Sequence, residues 1–134
     1  MATNSFVNRL KQTQLVFPRI ILAVEEYTQF WVIRFQGSID MSTAADLETF
    51  GEKWQRQDGF VRKHILLDFK KVTDTDSAAV AVLIKAAATL KKGHHKLGLI
   101  NVDEKLHFMF ELFKVNKMVF FFPSESEAIK ELSQ

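Results

Sequence analysis

Apolar positions along the chain change period several times, and each change marks a predicted element. Ile20-Ile21-Leu22-Ala23-Val24 and Phe30-Trp31-Val32-Ile33-Arg34-Phe35 are β-rich runs separated by Glu25-Glu26-Tyr27-Thr28-Gln29, which predicts a hairpin. Gly37-Ser38-Ile39-Asp40 ends the second run. From Ser42 or Thr43 to about Gln57, Ala44, Leu47, Phe50 and Trp54 recur three and four apart, a spacing that lays one helix face on a sheet. Gly51 weakens that helix slightly. Lys63 to Phe69 is apolar through its centre, as in a strand buried in the middle of a sheet. Ser77 to Lys92 predicts a second helix closed by Gly93, with alanines that let it lie close to its neighbours. Lys96 to Val102 is a fourth strand, Glu104 to Phe113 a third helix and Met118 to Phe122 a fifth strand. Pro123-Ser124-Glu125-Ser126-Glu127 opens a last helix, with Ser124 and Glu127 at capping-box spacing. Residues 1–17, polar with scattered apolar positions, read as an N-terminal arm before a domain over 18–134. Strands alternating with helices imply an α/β sheet with crossover connections.

Composition narrows the class. A chain of 134 residues with 47% hydrophobic and 25% charged content is one soluble globular domain with a real core. The formal charge is only +2, and Lys70-Lys71, Lys91-Lys92 and Lys114/Lys117 are small groups separated by acids. They form no phosphate-tracking stripe, so direct nucleic-acid binding is not expected. The absence of cysteine removes disulfides, thiolate catalysis and cysteine metal sites, and suits a reducing cytoplasm. No apolar run approaches the roughly 20 residues that span a bilayer, and Met1 to Lys11 lacks a signal-peptide core. A cytoplasmic protein without membrane insertion is the expectation. Six of the thirteen phenylalanines fall at Phe108, Phe110, Phe113, Phe120, Phe121 and Phe122. Most are predicted to be core, but so dense a cluster suggests that some face a partner, which leaves a homodimer open.

The candidate chemistry lies in Val72-Thr73-Asp74-Thr75-Asp76-Ser77-Ala78-Ala79-Val80, where a hydroxyl stands between acidic positions and an apolar helical run. A serine at a helix N-cap or first turn sits among free N–H groups at the positive end of the helix dipole. Either Asp76 or Ser77 simply caps the helix, or Ser77 is phosphorylated. Three enzyme readings fit less well. Asp74-x-Asp76 resembles the acid pair of haloacid-dehalogenase-like phosphatases, but Asp68 holds the strand position those acids occupy. Asp68 as the phosphoacceptor of a receiver domain lacks the acidic pair after the first strand. A Ser77 triad with His64, His94, His95 or His107 lacks a Gly-x-Ser-x-Gly elbow. His94-His95 follows Gly93 and reads as a solvated pair, not a metal site. No catalytic residue, cofactor or metal is expected.

The order of elements and the residues at their junctions resemble the STAS domain, the family of bacterial anti-sigma factor antagonists, over roughly residues 18–134. Three patterns carry the likeness. They are Gly37-Ser38-Ile39-Asp40 followed by Thr43, Leu67-Asp68-Phe69 through Asp76-Ser77, and Asn101-Val102-Asp103 through Met118 followed by Pro123-Ser124-Glu125-Ser126-Glu127-Ala128. The resemblance implies a STAS fold: a mixed five-stranded sheet with about four helices packed mainly on one face. It implies that Ser77 is the phosphorylated serine, preceded by Asp76 and close to Asp40. The implied partner-binding residues are Asp40, Thr43, Asp74, Thr75, Asp76, Ala78 and Ala79. The implied partners are an anti-sigma factor/serine kinase of the histidine-kinase-like ATPase type, bound while Ser77 is unphosphorylated, and a serine phosphatase of the PP2C type. Thr73 and Thr75 are the nearest competing hydroxyls. Where the family often carries glycines after the serine, this chain has Ala78-Ala79-Val80-Ala81, adding methyl groups where a kinase backbone would approach. A second branch of the family serves as STAS subunits of phospholipid-transporting ABC systems, docking on the ATPase, often with Asp-Ser/Thr-Ala sequences like Asp76-Ser77-Ala78. The tail of this chain favours the sigma-regulatory branch.

Overall fold

The computed structural model describes residues 10–58 and 60–134. One mixed sheet runs in the order β1-β2-β3-β4-β5-β6. Its strands are β1 (Lys11–Val16), β2 (Ile20–Glu26), β3 (Phe30–Ile39), β4 (His64–Thr75), β5 (Leu97–Ile100) and β6 (Phe120–Phe121). The first three pair antiparallel and β3 through β6 pair parallel. Helices α1 (Ala44–Gln55), α2 (Ser77–Lys92) and α3 (Glu104–Leu112) are the crossovers between the parallel strands, and α4 (Glu125–Leu132) closes the chain.

The sheet has six strands where five were expected. The additional one, β1, lies in the stretch read from sequence as an arm; residues 1–9 are outside the described residues. Lys-Gln-Thr-Gln-Leu-Val carries almost no apolar alternation because an outer strand pairs through its backbone along one side. Here only Leu15 packs against the core, so polar side chains cost little. Strand β4 also runs further than expected, to Thr75, because its polar end Lys70–Thr75 pairs with β3 beyond the reach of β5.

The two faces of the sheet are filled differently. Leu67, Phe69 and Leu99 join Val80, Leu83, Leu90, Leu106 and Phe110 in a core beneath α1, α2 and α3. On the other face Phe30, Val32, Leu66 and Ile100 pack against Ala128, Ile129 and Leu132 of α4. Beside that smaller core, Arg34 is ringed by carboxylates of Glu25 (2.8 Å), Asp68 (2.8 Å) and Glu125. Burial alone would lower the Arg34 pKa, but the Glu125, Glu25 and Asp68 carboxylates outweigh it and raise it. Gly37 in β3 has φ 122°, and a Cβ there would run into the Arg19 carbonyl oxygen; only glycine lets the backbone pass so close to Arg19 just before the register shift between β3 and β4.

Candidate partner-binding site at the start of the second helix

Parallel pairing of β3 and β4 brings two chain exits side by side. Ser38 stands opposite Asp74 and Ile39 opposite Thr75, so Asp40–Thr43 enters α1 next to where Asp76 enters α2. Asp76 has extended backbone (φ −142°, ψ −170°) and is the N-cap of α2. One carboxylate oxygen accepts from the Ala78 N–H at 2.8 Å, as capping requires, and the other accepts from the Met41 N–H at 3.1 Å. A single side chain therefore caps one helix and ties down the turn that leads into the other.

Asp40 organises its own turn by accepting from the Ser42 N–H at 2.9 Å and from the Ser42 hydroxyl. The Ser42 hydroxyl is the largest of the causes that hold the Asp40 carboxyl below its usual value. Thr43 is fully buried; its hydroxyl accepts from the Asp40 N–H (3.1 Å) and donates to the Ser38 carbonyl (2.9 Å). Thr75 is 5% exposed, with a hydroxyl unpartnered among the described residues, and its carbonyl accepts from Lys105 Nζ of α3 at 2.7 Å. Ala79 is buried in the core, Ala78 is half-buried and Asp74 is exposed. Thr43, Thr75 and Ala79 thus shape the surface from beneath, while Asp74, Ala78 and Ser77 lie on it. Ser77 is exposed at the first position of α2, and its hydroxyl makes no hydrogen bond among the described residues.

The rival enzyme constellations do not assemble here. Asp68 lies within β4, 7% exposed, on the α4 face. Burial would raise its pKa, yet hydrogen bonds from Asn101 and the Lys70 N–H, together with Arg34, hold it low. No histidine hydrogen-bonds to Ser77 among the described residues. His64 accepts from the Lys96 N–H through Nδ1 at 2.9 Å, and its pKa is lowered first by burial and then by His95 and Lys96. The described residues contain no group of three His, Asp or Glu side chains placed to hold a metal, and no helix long and apolar enough to cross a membrane. Two surface residues escaped sequence reasoning. Met41, 80% exposed, crowns the turn beside Asp76, and Lys105 reaches across from α3. The first carries no pattern of its own, and the second lies 30 positions away from the residue it bonds.

The profile of the STAS domain family matches residues 22–128, and the chain belongs to that family. Solved structures share the fold. An anti-sigma factor antagonist from Mycobacterium paratuberculosis is 20% identical over 90% of this chain and 100% of that one, with a TM-score of 0.70. The antagonist SpoIIAA in its unphosphorylated form is 18% identical over 92% and 98%, with a TM-score of 0.61, and the Bacillus protein in its phosphorylated form gives 0.53. The murine anion transporter Slc26a9 is 16% identical over 98% of this chain but only 23% of its own, with a TM-score of 0.64. At such identities the likeness is one of fold. A search of curated proteins gives no match.

Proposed function

We propose that this protein is a phosphorylation-switched binding module, an anti-sigma factor antagonist that engages an anti-sigma factor/serine kinase partner while Ser77 is unphosphorylated. The observation that carries this reading is the Ser77 hydroxyl, open to solvent and unbonded at the first position of α2, beside the Asp76 carboxylate that joins both helix starts into one surface. A phosphate there adds a charge of about −1.5 to −2 next to Asp76 and Asp74. The N-terminus of α2 offsets part of that charge. A partner surface shaped for a neutral hydroxyl loses affinity, and nothing in the fold has to rearrange. SpoIIAA, solved in both phosphorylation forms on this fold, supports a switch of that kind. The partner carries the serine kinase, of the histidine-kinase-like ATPase type, and a PP2C-type phosphatase resets the site. The chain itself is their substrate and catalyses no turnover. Thr75 is disfavoured as an acceptor by its burial, which leaves exposed Thr73 as the competitor.

Incubation with the cognate kinase and ATP, followed by mass-spectrometric mapping, tests the assignment; phosphate on Ser77 is expected, and phosphate on Thr73 with Ser77 untouched refutes it. Ser77→Ala should bind the kinase constitutively. Ser77→Asp should bind about 1–3 kcal/mol more weakly, the scale of an unpaired charge at an interface. A second reading is a STAS subunit docking on the ATPase of a phospholipid-transporting ABC system; the anion transporter Slc26a9 supports it only in that a unit of this fold occurs within a transporter. Co-purification with a membrane ABC assembly, and no phosphate on Ser77, Thr73 or Thr75, would support it instead.

A further inference from the structure

A second concave site lies away from Ser77, between the β1–β2 edge and α1. It is a cleft of about 350 Å³ walled by Trp31, Phe50, Trp54 and Phe60, with Phe17 and Leu15 on the outer side. The rings form one continuous stack. Trp54 meets Trp31 edge-on at 4.9 Å and Phe60 at 5.0 Å, and stacks on Phe50 at 5.5 Å. Phe50, Trp54 and Phe60 are only partly buried, although a ring wall facing water forfeits hydrophobic stabilisation.

Charge at the mouth points to one class of occupant. Lys11 of β1 and Lys53 of α1 line the cleft, and neither ammonium has a carboxylate partner within 4.0 Å among the described residues. Of the two acids that also line it, Glu26 is neutralised by Lys63 at 2.7 Å, which leaves Asp58 as the one opposing charge. The free charge there is net positive. Behind the rings lies a second, apolar cavity of about 120 Å³, which shares Phe50, Trp54 and Phe60 as its wall and reaches Leu67, Leu83 and Leu97. The rings touch one another, so the two spaces are separate and a ligand in the cleft lies against the ring wall.

We propose that the cleft binds a medium-chain acyl carboxylate, with its head between Lys11 and Lys53 and its tail against Trp31 and Trp54. A cleft of that volume has room for a ligand of at least about a dozen non-hydrogen atoms, a size that decanoate meets. Largely apolar walls with a few convergent polar groups are the usual composition of small-ligand sites. This site is independent of the Ser77 switch and stands whether or not that reading holds.

The two tryptophans of the chain are both in the wall, so intrinsic fluorescence reports occupancy directly. Titration of the full chain with decanoate below its micelle concentration should give a saturable shift, and a bromine-tagged decanoate should quench the same emission. Lys11→Gln/Lys53→Gln should weaken binding about tenfold or more, and decanol should bind the unaltered chain that much more weakly than decanoate. Thr13→Phe, a change at an exposed β1 position lining the cleft, should abolish the response with the circular dichroism spectrum retained. A Lys85→Gln/Lys92→Gln control should bind as the unaltered chain does. No saturable response, or equal affinity after the Lys11/Lys53 change, overturns the proposal.

Discussion

The two helices that begin at the candidate site are held in different ways. Helix α2 buries Ala79, Val80, Leu83, Ala87 and Leu90, and its first turn is capped by Asp76. Helix α1 buries only Leu47, and Thr43 at its head turns its hydroxyl back to the Ser38 carbonyl instead of capping the helix. Side-chain size explains the contrast. The small residues of α2 let its backbone approach the sheet, whereas Phe50 and Trp54 prop α1 away from it and leave the cavity and cleft beneath. The proposed binding surface, made from both, therefore has a fixed platform in α2 and a more loosely packed element in α1, with the Asp76–Met41 hydrogen bond as the tie between them.

Five substitutions at four positions probe that contrast. Leu83→Ala, in the packed face of α2, should cost about 2–5 kcal/mol in urea unfolding through the void it leaves; a loss under about 0.5 kcal/mol, typical of exposed positions, would show that α2 is not the platform. Leu47→Ala should cost about 2 kcal/mol, near the lower end for such truncations, because α1 already borders a cavity and can settle. Its signature is hydrogen exchange that rises in α1 while α2 stays protected, and uniform loss of protection would break the comparison. Asp76→Ala should remove the cap and the tie together, at about 1 kcal/mol. Asp76→Asn separates the two, since an amide oxygen still caps Ala78 while its NH₂ repels the Met41 N–H. It should leave α2 intact and raise exchange at Met41. Gly51→Ala should stabilise by about 0.5–1 kcal/mol, since a Cβ there meets nothing within 4 Å and alanine favours the helix. A destabilising result would mean that α1 is packed more closely than its open underside indicates.

Sequence reasoning succeeded where the signal is local. Helix α2 was predicted at its observed bounds because an acidic cap, an alanine-rich run and Gly93 all lie within it or at its edges. Ser124 likewise accepts from the Glu127 N–H at 3.2 Å, as its spacing predicts. The β2–β3 hairpin and the central position of Leu66 and Leu67 follow from apolar runs long enough to read directly. Strand β1 was missed because backbone pairing, not side-chain pattern, defines it. Of the six late phenylalanines, Phe110 is buried, Phe121 and Phe122 are half-buried, and Phe108, Phe113 and Phe120 are exposed. Their number alone carried no such division, which depends on the face each one occupies on a short helix or the outer strand.

By itself, then, the chain determined its α/β class, the start of α2 and the placing of Ser77 at that start, because caps, periods and turn residues act over a few positions. Only the folded sheet decided that Met41 would meet Asp76, that Lys105 would reach Thr75, that Thr75 would be buried and that Arg34 would gather Glu25, Asp68 and Glu125. Apart from the Arg34–Glu25 pair across the β2–β3 hairpin, those contacts join residues 30 to 91 positions apart. They arise from parallel strand register and helix packing, which no local pattern encodes.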